Sequence, residues 1–243
     1  MARPPSTDGF DRDVGRVALL GDPVRRALYR YVVTQDAAIS REQAATAVGV
    51  PLHVAKFNLD RLEAGGLLES EYSRPPGRRG PGAGRPAKRY RRARTEVSLS
   101  LPPRRYDLVG RVLARAVAVA TESDDPVGGA LRDAARAEGG ELGSQVLARL
   151  AADASAAERT RAISDVLAEQ GYEPRDAGGT VTLANCPFHA LAREHPALVC
   201  GMNLDLIRGL LGAVKHTGLL ARLDRAPDRC CISLDRARPS AAP

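Results

Sequence analysis

SREQAATAVGVPLHVAKFNLDRLEAGGLLESEY, Ser40–Tyr72, is the stretch that decides the fold. Ser40-Arg41-Glu42-Gln43 reads as a capping box, with Ser40 as N-cap and the Gln43 side chain reaching back to it. The short helix it opens runs to Val48, and Gly49 supplies the left-handed residue past its end. Pro51 suits the first turn of a second helix. There Leu52, Ala55, Leu59 and Leu62 share one apolar face, and Gly65-Gly66 marks the stop. Two helices joined by so tight a turn predict a helix-turn-helix.

The flanks extend that pattern. Upstream, residues 14–33 read as a first helix, with a break or restart at Gly21-Asp22-Pro23, behind a tail at residues 1–13 expected to be disordered. Downstream, Leu67–Tyr72 reads as a strand, residues 73–87 as a Pro/Gly/Arg loop and Lys88–Arg92 as the returning strand. Helix, capped helix, turn, helix and basic hairpin follow in the order of a winged helix-turn-helix over residues 14–95. Such a fold lays its second helix in the major groove, where outward side chains read base edges. The residues expected to do so are His53, Lys56, Phe57, Asn58 and Arg61, with Phe57 equally open to a packing role. Asparagine pairs with adenine, and lysine donates to guanine or to phosphate. Between Arg74 and Arg94 lie nine basic residues and no acidic one. Arg78, Arg79, Lys88 and Arg89 are expected at the duplex, and Arg85, in Gly84-Arg85-Pro86, in the minor groove.

Charge supports this division of labour. Residues 1–95 hold 18 Lys+Arg against 10 Asp+Glu, a net of +8, while residues 96–243 hold 18 against 19. A polyanion-binding module joined to a near-neutral one is the simplest reading. Composition is that of a folded protein with an aliphatic core: 44% hydrophobic, 4% aromatic and no Trp. The sequence shows no 18-residue apolar run and no apolar signal region, so the expectation is a cytoplasmic protein without a membrane span. There is no nucleophile elbow, P-loop, dinucleotide fingerprint or His-Glu-x-x-His, so no enzyme is expected.

The second half reads as helices with short strands, so the whole chain is classed as mainly α with small β elements (α+β). Residues 96–121 are expected to be a linker and a dimerisation helix, whose apolar pattern runs from Tyr106 to Thr121. Residues 122–243 form the second domain, with helices at 126–137, 139–152, 156–170 and 197–214. A hairpin turns at Asp176–Gly179, and short strands are expected at Leu219–Leu223 and Cys230–Leu234.

All four cysteines fall in that domain, in the last quarter of the chain. In a reducing compartment, thiols placed this way point to metal binding or redox sensing rather than to disulfides. Two residues separate Cys186 from His189, 13 separate Cys186 from Cys200, and 29 separate Cys200 from Cys230. Thiolates suit zinc or iron–sulfur clusters. Cys186, His189, Cys200 and Cys230 would make a closed Cys3His zinc set, and plain packing of buried thiols is a third reading. Strand alternation puts Cys230 and Cys231 on opposite faces, so only one of them is a ligand.

Two regions carry a resemblance. GDPVRRALYRYV, Gly21–Val32, resembles the first helix of ArsR-type winged-helix repressors. Arg41–Glu69 followed by GRPAKRY, Gly84–Tyr90, is similar to their SufR-type branch, bacterial regulators with a C-terminal cysteine domain. That branch carries a Cys-Pro-Phe segment, a Cys just after a His-Pro step and a Cys in a final strand. The resemblance implies an iron–sulfur cluster (4Fe-4S or 2Fe-2S) on Cys186, Cys200 and Cys230, responding to oxidation, nitric oxide or cluster supply. This chain departs from the pattern in its Cys230-Cys231 doublet, where Cys231 is the alternative to Cys230. It also lacks an obvious fourth cysteine ligand, leaving His189, His195, a carboxylate or an open position. The resulting expectation is a homodimeric repressor on a pseudo-palindromic double-stranded DNA operator, controlled by the cluster. The alternative is a winged-helix regulator with a zinc site and a small-molecule effector pocket.

Overall fold

Ser40 opens its helix as the capping box requires. In a computed structural model, which describes residues 8–73, 86–123, 126–226 and 228–236, Gln43 N donates to Ser40 Oγ at 3.3 Å and Ser40 N donates to Gln43 Oε1 at 2.8 Å. The chain divides into two compact units, which meet in sequence at Leu99-Ser100.

The first unit contains helices α1 (Asp8–Leu19), α2 (Pro23–Val33), α3 (Arg41–Val48) and α4 (Leu52–Ala64), and strands β1 (Ile39–Ser40), β2 (Leu68–Ser73) and β3 (Ala87–Arg92). The break at Gly21-Asp22-Pro23 separates α1 from α2, and Asp22 caps α2 by accepting from Arg25 N at 2.8 Å. Gly49 ends α3 at φ 71°, the left-handed region that glycine enters without penalty. The three strands form one antiparallel sheet in the order β1-β3-β2, with Ser70 opposite Tyr90 and Tyr72 opposite Lys88. Leu28, Ala44, Ala55, Leu59 and Leu62 are wholly buried at its centre. Each such leucine contributes about 1.5–3 kcal/mol by leaving water.

Three local expectations change here. Residues 8–13 are helical rather than part of a tail. Phe10, Val14 and Val17 continue one helical face, and Asp11 and Asp13 sit in the first turns, where the helix dipole favours negative charge. Leu52 leaves the apolar face of α4 and is exposed at the first position of the helix. The two-residue strand β1 is too short to show any periodicity in the sequence.

The second unit contains α5 (Tyr106–Ser123), α6 (Val127–Leu147), α7 (Ala156–Glu169), α8 (His189–Glu194) and α9 (Pro196–Val214). Strands β4 (Pro174–Asp176), β5 (Thr180–Leu183), β6 (Leu219–Leu223) and β7 (Ile232–Arg236) form an antiparallel sheet in the order β4-β5-β7-β6. The fold class is therefore mainly α with small β elements, as expected. Helix α5 is not a separate linker: Leu108, Val109, Val112 and Ala116 belong to the core of this unit.

The two helices expected at 126–137 and 139–152 are one. Gly139-Gly140 does not interrupt α6; a Cβ on Gly139 would stand 1.9 Å from Leu206 O of α9, and one on Gly209 would stand 2.2 Å from Arg136 O of α6. These glycines let two backbones cross closely. Helix α9 carries another correction. It is 19 residues long and has a mean hydropathy of 1.5 over an 18-residue window, long and apolar enough to cross a membrane, although no wholly apolar run is visible. Here that apolarity is used for packing. Met202, Leu206, Ile207 and Leu210 are buried in the unit's core, and Asp205 is held by Arg136 at 3.0 Å.

Candidate functional site

Helix α4 and its hairpin form the first candidate site. His53, Lys56, Phe57 and Arg61 are all exposed on one side of α4. Phe57 is not packed between helices; it is 58% exposed, with the Arg61 guanidinium 5.6 Å from its ring centroid. This row offers two cations, an imidazole and an aromatic face at helical spacing, the chemistry that phosphate and base edges require.

Asn58 does not join that row. It is buried, its Oδ1 accepts from Arg25 Nε at 3.1 Å and its Nδ2 donates to Val54 O at 3.0 Å. Both ends of its amide are used inside the unit, so it anchors α4 to α2 and has no free edge for adenine. Lys88 is likewise engaged. Its Nζ pairs with Asp60 Oδ1 at 2.9 Å and with Glu63 Oε2. Burial works against the Lys88 charge, but the hydrogen bonds to Glu63 and Asp60 outweigh it and hold the pKa above the usual lysine value. Arg89 is half-buried and donates to Ala38 O at 3.1 Å. Arg78, Arg79 and Arg85 lie outside the described residues. Arg92, at the end of β3, and Arg94, just beyond it, were not singled out by the sequence and are exposed. Arg25, Asp60 and Glu63 were also missed. The i, i+3 spacing of the two acids opposite a basic strand was the available signal.

The cysteines form the second candidate site, entirely within the second unit. Cys186 lies in the loop after β5. Arg104 braces that loop by donating to Cys186 O at 3.0 Å and to Asn185 Oδ1 at 2.5 Å, and Asn185 Nδ2 donates to Gly171 O at 2.6 Å. Cys200 lies in the second turn of α9. Cys230 and Cys231 immediately precede β7, with Cys230 N donating to Leu183 O at 2.9 Å and Cys231 O accepting from Asp224 N at 2.8 Å. The fold thus brings together thiols from three separate segments. They form a chain of contacts: Cys186 with Cys230, Cys230 with Cys231, and Cys231 with Cys200.

The doublet divides sharply. Cys186, His189, Arg193, Cys200, Arg225 and Cys231 border a cavity of about 450 Å³. Cys230 does not border it. Cys230 is wholly buried behind the wall, and its Sγ accepts from Asn203 Nδ2 at 3.4 Å. Asn203 is held in turn by Tyr172 OH, which donates to its Oδ1 at 2.5 Å. Protonation follows the same division. Sharing a proton with Cys186 pushes Cys230 far above the usual thiol range. The hydrogen bond from Cys230 brings Cys231 down to about 6, and the same kind of contact lowers Cys186. Burial pushes Cys200 up to about 12.

The four thiols are not arranged around a single point. Among the described residues, no three His, Cys, Asp or Glu side chains converge as ligands of a single ion do. Cys186, Cys200 and Cys231 border a space instead, with Cys230 behind it. Arg193, Arg225 and Arg229 border that space against one carboxylate, Asp228, a net positive lining. His195 and His216 are exposed and absent from the cavity border.

Comparison with known proteins bears on the first site. Residues 20–71 match the family model described as a helix-turn-helix domain, and the match spans α2 to β2. No curated protein and no solved structure matches the chain.

Proposed function

We propose that this protein is a DNA-binding transcriptional regulator, and that its thiol cavity holds an iron–sulfur cluster that controls operator affinity. The observation that carries the DNA reading is the outward row His53, Lys56, Phe57 and Arg61 on the second helix of a helix-turn-helix. Lys56 and Arg61 bind phosphate or guanine, Phe57 offers apolar contact to a thymine methyl, and the basic residues between Arg74 and Arg94 other than Lys88 are the proposed contacts to the adjoining backbone. Homodimerisation on a two-fold operator doubles those contacts. Tyr106 and Val117, exposed on α5, are the side chains proposed to meet the second copy. The repressor role rests on the family resemblance.

The cavity border supports Cys186, Cys200 and Cys231 as the thiolates, with His189 at the remaining position. A bound cluster supplies one-electron chemistry and sensitivity to oxidants. The chain's own residues do the rest. Arg104 and Asn185 orient the Cys186 loop, α9 carries Cys200, and Asn203 with Tyr172 fixes Cys230 behind the wall. Because the ligands come from three segments, loading and folding of this unit are linked.

Fluorescence anisotropy with duplex selected from a random pool tests the DNA reading. Lys56→Ala and Arg61→Ala are each expected to weaken binding by about 1–3 kcal/mol if they touch bases, or to flatten the salt dependence by about 0.9 for each phosphate no longer neutralised. Unchanged binding in both variants would remove α4 from the interface. Protein purified without oxygen should be brown and contain iron and sulfide. Colourless protein with stoichiometric zinc would replace the cluster with the zinc alternative.

A further inference from the structure

Lys88 sits in the basic hairpin, where electrostatics alone would assign it to phosphate. Its surroundings give it a different task. Asp60 and Glu63 stand one turn apart on α4 and both face β3. Lys88 Nζ lies between them, 2.9 Å from Asp60 Oδ1 and paired with Glu63 Oε2. Tyr90, two residues along the same face of β3, donates its hydroxyl to Asp60 Oδ1 at 2.7 Å. Ser70 of β2 donates to Glu63 Oε1 at 2.5 Å. The ammonium also lies 5.1 Å from the Tyr90 ring centroid. Tyr90 is wholly packed into the core, and burial and its bond to Asp60 both disfavour loss of its proton. Two carboxylates of one helix are thus tied to both long strands of the hairpin.

We infer that Asp60, Glu63, Lys88 and Tyr90 form a clamp that fixes the hairpin to recognition helix α4, so that Lys88 governs DNA binding by positioning and not by touching phosphate. This rests on the reading that α4 enters the DNA. The two carboxylates carry the argument. Acidic groups beside a DNA-reading helix repel phosphate, so their presence costs affinity unless they hold something in place. Lys88 neutralises part of that charge and, by bridging to both acids, converts it into a fixed geometry. Helix and hairpin then present their outward side chains as one body, and less ordering is left to be done on binding.

The test is a salt titration of duplex affinity with the full-length protein, using a duplex selected from a random pool by the wild type. Lys88→Met is expected to weaken binding about tenfold, while the slope of log K against log salt stays that of the wild type. Lys88→Arg, which also bridges two carboxylates, is expected to restore most of the affinity. The double variant Asp60→Asn, Glu63→Gln is the sharper arm. Removing two negative charges should tighten binding if charge alone matters; the clamp predicts weaker binding at unchanged slope. Thermal melts confirm that each variant is folded at the titration temperature. A slope shallower by about 0.9 in Lys88→Met, tighter binding by the double variant, or a lowered melting point with unchanged affinity would each overturn the clamp. Absence of duplex binding by the wild type would overturn the DNA reading itself, and is observed before any variant is measured.

Discussion

Cys230 and Cys231 are neighbours in the chain and touch through their sulfurs, yet they stand in different surroundings. Cys230 is sealed behind the cavity wall with Asn203 on its sulfur, whereas Cys231 borders the cavity with a thiol brought down to about 6. Thiolate character and access together set thiol reactivity. Iodoacetamide added to the metal-free protein is therefore expected to label Cys231 first. Its rate should rise through about pH 6 as the thiolate forms and level off near neutrality. Cys230 should stay unlabelled until the unit unfolds. Site-resolved mass spectrometry checks this, and early labelling of Cys230 would reverse the assignment of the wall. Asn58 makes a second residue-scale case. Asn58→Ala removes the acceptor for the Arg25 guanidinium and is expected to cost about 1.5–3 kcal/mol of stability. It should leave base preference unchanged in a selection experiment; a vanished preference for one base pair would return Asn58 to the interface.

The crossing of α6 and α9 shows how glycine misleads at the scale of elements. Gly139 and Gly140 are neighbours within α6, at the point where the sequence divides it into two helices. Gly139 faces α9 with no room for a Cβ, while Gly140 has open space around its own. Gly139→Ala is expected to destabilise the unit by about 3 kcal/mol, at the upper end of overpacking because the obstacle is backbone. Gly140→Ala is expected to stabilise it by about 0.4–1 kcal/mol, through helix propensity and a less free unfolded chain. Denaturant melts of both variants decide the matter, and equal effects would mean that the two helices cross at a greater distance. The same contrast explains what the sequence disclosed. The capping box at Ser40, the restart at Asp22-Pro23 and the turn at Gly178-Gly179 are local devices, and each stands where its residues place it. The glycine contacts of α6, the amide of Asn58 and the side of the doublet that borders the cavity depend on residues far away in sequence. The strand expected at Cys230–Leu234 starts only at Ile232, so alternation does not decide between Cys230 and Cys231; the wall they meet is built by α8, α9 and the loop before β7.

At the scale of the whole molecule, the two units have separate cores, one around Leu28, Leu59 and Tyr90 and the other around Leu167, Phe188 and Leu206. The positive charge belongs to the first and every cysteine to the second. A ligand that binds only the folded form stabilises it by about 2.7 kcal/mol at a concentration of 100 times its Kd. Every proposed cofactor ligand lies in the second unit, so that stabilisation should appear there alone. Hydrogen exchange on loaded and chelator-stripped protein is expected to differ in α9 and in the strands β5 and β7, with α2 to α4 unchanged when no DNA is present. Duplex DNA should produce the complementary pattern in α3, α4 and β3. A regulator needs one thing more, because coupling between two sites is reciprocal. With duplex bound, loading must also alter protection in the first unit, and by thermodynamic necessity the affinity ratio of loaded to stripped protein for DNA equals the ratio for the cofactor with and without DNA. If loading leaves duplex affinity unchanged, the second unit holds its cofactor for some purpose other than control of the first.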